Sequence, residues 1–339
     1  MTRCALIYFT HHGKKVAEKI ITEYKQDIDF IIYEKDKISL DEFVSKEFAT
    51  SEIMIFIGAS GIAVRKLAPH IKSKAKDPAV IVIDDGGNFV ISLLSGHLGG
   101  ANQWTKDLAT SLGATPVITT STDVNQVFAI DNWCKENQCQ IEDLSKIKKI
   151  SAALIAGEKV GFISDFPVEG QLPSGLVSCD STKGTEDMEL GIVVSYKIDS
   201  PAFAETFKAI PKQIVLGVGC RKNIESQVFE EVILQQLKEN NIDINSVATM
   251  HSIDLKQEEK CILDFSEKYN IPFSTYSANE LKEVEGSFTP SKFVAGVTGV
   301  DNVCERSAIK GSNGQLISKK IGCCGVTVAI AVKDWKCKF

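Results

Sequence analysis

The chain has 339 residues, which favours two or three domains over a single core. Apolar residues make up 44% and charged residues 24%, which excludes a disordered chain. A net charge of -6 offers no general attraction to nucleic acid or to an acidic membrane surface, so an anionic ligand would need a local basic patch.

The first apolar run, CALIYF at residues 4–9, is short and no small-residue cleavage site follows it. It is expected to be a first strand rather than a signal peptide, and no run approaches bilayer length. The expectation is a cytoplasmic protein with no membrane partner. Ten cysteines without a C-x-x-C pair, and five histidines without zinc spacing, read as reduced structural thiols with no metal centre.

Apolar runs CALIYF, EIMIFIGA, AVIVID, NFVISLLS and PVITT alternate with helix-like stretches. That rhythm predicts an N-terminal α/β domain over residues 1-130, with mostly parallel strands covered by helices. Over residues 131-210 the rhythm lapses. The shorter runs KVGFISD and GIVVSYK flank a stretch rich in Pro, Gly and Ser, FPVEGQLPSGLVS, and predict a small irregular middle module of hairpins and turns. A second α/β domain is expected over residues 211-339, starting at QIVLGVGC. Its first helix should bury a stripe of Ile224, Val228, Val232, Ile233 and Leu237. SVATMHSI, the helix EEKCILDFSEKYN, IPFSTY and a helix around VCERSAI follow. GQLISKK and GVTVAIAVK read as a closing antiparallel pair.

Three loops at strand ends carry the polar chemistry, and ligands of open α/β sheets bind at such ends. In IFIGASGIAVRKL, Gly58 and Gly61 permit close backbone approach and Ser60 is a candidate N-cap. Arg65 is the nearest cation; Lys66, Lys72, Lys74 and Lys76 read equally as a solvated face. In SLLSGHLGGANQW, Gly96, Gly99 and Gly100 surround His97, and Asn102 opens a helix. His97 is either a structural tie or an acid–base group. In PVITTSTDV, Thr119 and Thr120 offer hydroxyls and Asp123 is either a helix cap or a base. Familiar nucleotide motifs are missing: no P-loop occurs, and after Gly217 and Gly219 the third glycine position of G-x-G-x-x-G is Lys222.

The strings GASGIAVRKLAPHIKSKAKDPAVIVIDD, FVISLLSGHLGGAN and PVITTSTDV, in that order, resemble the N-terminal half of the CbiG family of cobalt-precorrin-5A hydrolases. LGVGCRKN, SIDLKQEE, TGVDNVCERSAI and GVTVAIA resemble its C-terminal domain. The resemblance implies a role in anaerobic cobalamin biosynthesis and a cobalt-bearing tetrapyrrole substrate with many carboxylates. Water would open its δ-lactone, and acetaldehyde would leave to give cobalt-precorrin-5B. No cofactor is implied, because the macrocycle accepts the electrons and cobalt arrives with the substrate.

For such a polyanion, Arg65, Arg221 and the helix starts after Gly61 and Gly100 are candidate carboxylate receivers. Gly58, Ser60, Gly96, Gly99, Asn102, Thr119, Thr120 and Gly219 complete the expected contact set. His97, Asp123 and Glu305 are the candidate acid–base groups, with Asp84 and Asp85 in reserve. Other cobalamin-pathway enzymes are the further partners considered. A non-catalytic tetrapyrrole carrier would use the same loops, and acetaldehyde release separates the two readings.

Overall fold

In the computed structural model, residues 1–73, 76–125, 127–179, 188–200 and 203–339 are described, and they form two compact units, Met1–Asn132 and Trp133–Phe339. In the first unit, continuous apolar runs become strands buried on both faces. They are β1 (Thr2–Tyr8), β2 (Ile28–Ile32), β3 (Ile53–Ile57), β4 (Ala79–Ile83), β5 (Phe89–Leu94) and β6 (Thr115–Val117), in the sheet order β2-β1-β3-β4-β5-β6. Because side chains alternate along a strand, Ile53, Ile55 and Ile57 face one layer while Met54 and Phe56 face the other. The first layer is α1 (His11–Tyr24) with α4 (Ala101–Leu112), and the second is α2 (Leu40–Thr50) with α3 (Ser60–Leu67).

The strands β1 to β4 are parallel, but β5 pairs with β4 antiparallel and β6 follows β5. The reversal is made at Asp84-Asp85-Gly86-Gly87-Asn88. Asp84 accepts the backbone N–H groups of Gly86, Asn88 and Phe89 at 3.2, 2.7 and 2.6 Å, and Gly87 has a left-handed φ of 71°. This is the chemistry of a tight hairpin turn. Two short helices, α5 (Ser121–Val124) and α6 (Ile130–Glu136), follow β6.

The second unit holds two five-stranded sheets. One contains β7 (Cys139–Ile141), β8 (Val160–Ser164), β10 (Leu176–Ser178), β11 (Leu190–Val194) and β12 (Glu205–Pro211), in the order β10-β8-β11-β12-β7. Its three pairings apart from that of β7 are parallel, which replaces the hairpins expected there, and α7 (Lys146–Ile155) packs on it. The strands are three to seven residues long, too short to show their period in the sequence. A two-stranded ribbon pairs β9 (Val168–Glu169) with the C-terminal β18 (Cys337–Lys338).

The other sheet contains β13 (Ile214–Cys220), β14 (Val247–Ile253), β15 (Phe273–Tyr276), β16 (Gln315–Cys323) and β17 (Val326–Val332), in the order β15-β14-β13-β17-β16. The expected closing antiparallel pair is β16 with β17. Helices α8 (Ser226–Glu239) and α9 (Lys260–Tyr269) cover one face. The buried stripe of α8 is Phe229, Val232, Ile233 and Leu237; Val228 turns partly outward and Ile224 precedes the helix. After the short α10 (Ala278–Lys282) and α11 (Lys292–Thr298), α12 (Cys304–Ser312) lies against β13, β14 and β17. It comes so close that a Cβ on Gly217 would stand 1.8 Å from the Cys304 carbonyl oxygen. The glycine of GVGC therefore serves helix–strand packing.

Candidate functional site

The reversal of β5 decides which residues of the first unit meet. The loop after β5 leaves the sheet beside the start of β4, where the Ser95 hydroxyl donates to the Asp77 carbonyl at 3.0 Å. The loop after β3 lies at the other end of the sheet. The three loops thus do not share one rim. Ser60 is the first residue of α3 rather than its cap, which is Ala59. Arg65 is exposed and donates to the Gly61 carbonyl of its own helix at 3.2 Å; Lys66 pairs with Asp41 at 2.7 Å. Lys74 lies outside the described residues. Asp84 closes the hairpin turn, and Asp85 accepts from the Thr10 hydroxyl that caps α1, so both reserve acids have structural work. Burial would raise Asp84, but the N–H groups of Phe89, Asn88 and Gly86 together hold its carboxyl below the usual range.

At the opposite end the loops after β5 and β6 converge. Gly100, in the left-handed region at φ 85°, caps α4 and delivers Asn102 into its first turn. Gly96 lacks the Cβ that would stand 2.7 Å from Asn102 Oδ1. Asn102 Nδ2 donates to Thr120 Oγ1 at 3.0 Å and to Asp123 Oδ2 at 2.9 Å, while Ser92 Oγ donates to Asn102 Oδ1 at 2.6 Å. His97 stands between two aspartates, with Nε2 2.8 Å from Asp123 Oδ2 and Nδ1 3.1 Å from Asp131 Oδ2. Thr122 Oγ1 is 3.2 Å from Nε2.

A ring nitrogen can satisfy a carboxylate only as a donor, and imidazole donates from both nitrogens only when charged. The hydrogen bond to Asp131 accordingly raises the His97 pKa; burial pulls it down, and Asp123 raises it again. Asp131 is 3% exposed and Asp123 20%, so the outward member of the row is Asp123. Its Oδ1 is 3.6 Å from Lys106 Nζ. The arrangement can hold a carboxylate in place for proton transfer, with the His97 ring and the buried Asp131 behind it. Gly99 shapes the same turn, whereas Thr119 is exposed. Asp131, Ser92 and Lys106 escape the sequence reading, because Asp131 falls in the polar stretch after the third loop and the others lie inside regular elements.

Gly219 and Arg221 line a cavity of about 900 Å³ within the second unit. Its walls include Ile253, Val294, Val297, Val303 and Val326, and its cations are Arg221, Lys222, Lys256 and Lys320. Glu259 also faces it, 2.7 Å from Lys256 Nζ. Apolar walls with a few convergent charges are the usual make-up of a small-molecule site, and this one suits a flat apolar body with anionic edges. Glu305 does not line it. Glu305 is fully buried in the first turn of α12, and its oxygens accept the N–H groups of Lys320 at 2.8 Å and Thr289 at 2.9 Å. Burial would raise it, but those two N–H groups hold its carboxyl below the usual range. Its work is to tie two segments to α12.

Fold and cavity define a multi-sheet α/β protein with an apolar, basic-edged cavity in its second unit. Residues 42–123 match the family description Cobalamin synthesis G N-terminal, residues 128–213 Cobalamin biosynthesis central region, and residues 214–331 Cobalamin synthesis G C-terminus. The chain belongs to this CbiG family. It is 36% identical over 291 residues to the cobalt-precorrin-5A hydrolase of Salmonella typhimurium, covering 84% of this chain and 83% of that one. It is 30% identical to the cobalt-precorrin-5A hydrolase of Priestia megaterium, over 97% and 94% of the two chains. A solved cobalamin biosynthesis protein G homologue from Sulfolobus solfataricus aligns over 98% of this chain and 97% of that one, at 23% identity and a TM-score of 0.43.

Proposed function

We propose that this chain is a cobalt-precorrin-5A hydrolase of cobalamin biosynthesis, opening the δ-lactone of the cobalt-tetrapyrrole with water and releasing acetaldehyde. The family membership supports the reaction, and one structural observation carries the substrate class: an apolar cavity of about 900 Å³ edged by Arg221, Lys222, Lys256 and Lys320. The guanidinium and ammonium groups meet the carboxylates while the valine and isoleucine walls take the macrocycle.

In the reaction, water adds to the lactone carbonyl and frees a hydroxyl on the methyl-bearing carbon. That hydroxyl loses its proton, its oxygen becomes the aldehyde oxygen, and the carbon–carbon bond to the ring breaks. The bonding pair passes into the macrocycle, so no redox cofactor is needed, and cobalt remains part of substrate and product. Asp123 is the acid–base candidate that the first unit offers, with His97 holding its Oδ2 and Asp131 holding His97 in turn as positioning residues. Glu305, with both oxygens committed to backbone N–H groups, is not assigned that role.

All ten cysteines are free thiols, in keeping with a reducing cytoplasm, and among the described residues no helix is long and apolar enough to cross a membrane. Other enzymes of the pathway are the expected suppliers and recipients of the tetrapyrrole.

The test is incubation of the purified chain with cobalt-precorrin-5A and trapping of the aldehyde. The parent should release one acetaldehyde per tetrapyrrole consumed, and Asp123→Asn should slow release by about 10²–10⁴-fold. Tight binding of the tetrapyrrole without aldehyde would overturn hydrolysis in favour of a carrier.

A further inference from the structure

Beside the cavity of the second unit, three potential metal ligands converge from one strand and one helix. Cys220 ends β13, while Glu259 caps α9 and Cys261 is the second residue of that helix. One ligand atom from each lies within 4.8 Å of the other two, and the sulfurs of Cys220 and Cys261 are 3.7 Å apart. Two sulfurs at ~2.3 Å from a tetrahedral zinc-type ion stand about 3.8 Å apart, so the pair needs almost no movement to share one ion. A disulfide, in contrast, would draw them to about 2.05 Å.

We propose that Cys220, Cys261 and Glu259 form a binding site for a divalent transition-metal ion of the zinc class, with its fourth position open to the cavity. Cys220 and Glu259 line the cavity, and Cys261 is 1% exposed behind them, so the third ligand is anchored while the open face is accessible. Lys256 Nζ, 2.7 Å from Glu259 Oε1, occupies the carboxylate and would leave it as the ion's charge takes its place. Each thiol releases its proton to solvent on binding. An ion with three protein ligands keeps a position for water, whose pKa falls to about 7 on zinc, or for a carboxylate of a bound ligand. Nothing in the spacing of the sequence reveals this site, because its two sulfurs are 41 residues apart on separate elements.

The ion belongs to the chain and is separate from any cobalt that a tetrapyrrole brings, so the test uses no tetrapyrrole and its outcome is independent of the hydrolase reading. The reduced full chain carries Cys323→Ser and Cys324→Ser, which removes the neighbouring exposed thiols of the β16–β17 turn. Cobalt(II) alone, added as a probe, should bind once per chain with intense near-ultraviolet sulfur-to-metal absorption and the visible bands of a four-coordinate ion. Zinc(II) should displace it and protect the half-buried Cys220 thiol from alkylation. Cys220→Ser and Cys261→Ser, each checked for fold by circular dichroism, should weaken zinc by more than the roughly 10–100-fold that loss of an outer-layer partner costs. Glu259→Gln should weaken it while keeping the sulfur absorption. Undiminished sulfur absorption in either serine variant, alkylation unaffected by zinc, or no saturable uptake by the background chain would overturn the site.

Discussion

His97 and His251 show how the same side chain is pushed in opposite directions in one chain. His97 lies between two carboxylates and is pushed toward the imidazolium, chiefly by Asp131. Its contribution to stability is complete below its unfolded value of about 6.5 and is lost as pH rises through the higher folded value. Its imidazole resonances should titrate above the ordinary range, and Asp131→Asn should bring the midpoint down more than Asp123→Asn does. An unchanged midpoint in Asp131→Asn would mean that the ring is not bonded to that carboxylate.

His251 is buried between the Ser274 and Thr249 hydroxyls, at 2.8 and 3.0 Å, and stacks on Tyr276 with ring centroids 5.3 Å apart. Burial, with a smaller contribution from the Lys333 charge, pushes its pKa down to about 4. The unfolded chain therefore takes up a proton that the folded one refuses between about pH 6.5 and 4. About 3 kcal/mol of stability, complete above that window, is lost as pH falls through it. Amide-exchange protection of β14 and β15, corrected for intrinsic rates, should decline over this window and decline less in His251→Gln. Equal declines would place the titrating group elsewhere.

At the scale of elements, α12 against β13 is the tightest joint described. The 1.8 Å approach of a Gly217 Cβ to the Cys304 carbonyl means that Gly217→Ala must displace the helix, because the obstacle is backbone. At Gly219 the nearest atoms are side-chain atoms, Thr327 Oγ1 at 2.8 Å and Cys304 Sγ at 3.3 Å, which can turn aside. Gly217→Ala should cost at least ~2 kcal/mol, or roughly 4–8 °C in Tm, and Gly219→Ala clearly less. Equal losses would contradict the packing.

The same scale explains what is legible in the sequence. The strands of the first unit are plain because both faces are buried and the runs are unbroken. The reversal of β5 is also written, in Asp84-Asp85-Gly86-Gly87-Asn88, but a strand–helix rhythm that predicts mostly parallel strands does not say which one turns back. His97 and Asp123 are visible as polar residues in loops at strand ends. Asp131 is not, since only the folded chain brings it 34 residues back to the ring. The cavity is invisible for the same reason: its walls come from residues 219 to 327, and its valines look like any others.

For the whole molecule, charge sets a conflict that the cavity must resolve. The net charge of -6 repels a polycarboxylate at long range, while four cations against one carboxylate, Glu259, at the cavity attract it at short range. Salt screens both effects, with a decay length of about 8 Å at physiological ionic strength. The contact attraction, at ion-pair distance, is the stronger of the two, so affinity for the tetrapyrrole should fall as salt rises. Arg221 is exposed at the cavity edge, and its backbone N–H is tied to the Gly325 carbonyl at 2.8 Å, which fixes where its side chain starts. Removing one charge-assisted contact costs about 1.5–3 kcal/mol, or roughly ten- to a hundred-fold in affinity. Arg221→Ala should lose that factor and also flatten the salt dependence, because one fewer ion pair remains to be screened. Arg65→Ala removes the same charge from the first unit, where the guanidinium bonds only within its own helix among the described contacts. It should slightly strengthen the long-range repulsion and leave the salt slope near that of the parent. If Arg65→Ala instead costs as much as Arg221→Ala, the anion is received at the end of the first sheet that carries Gly58, and the basic edge of the cavity is only a solvated surface.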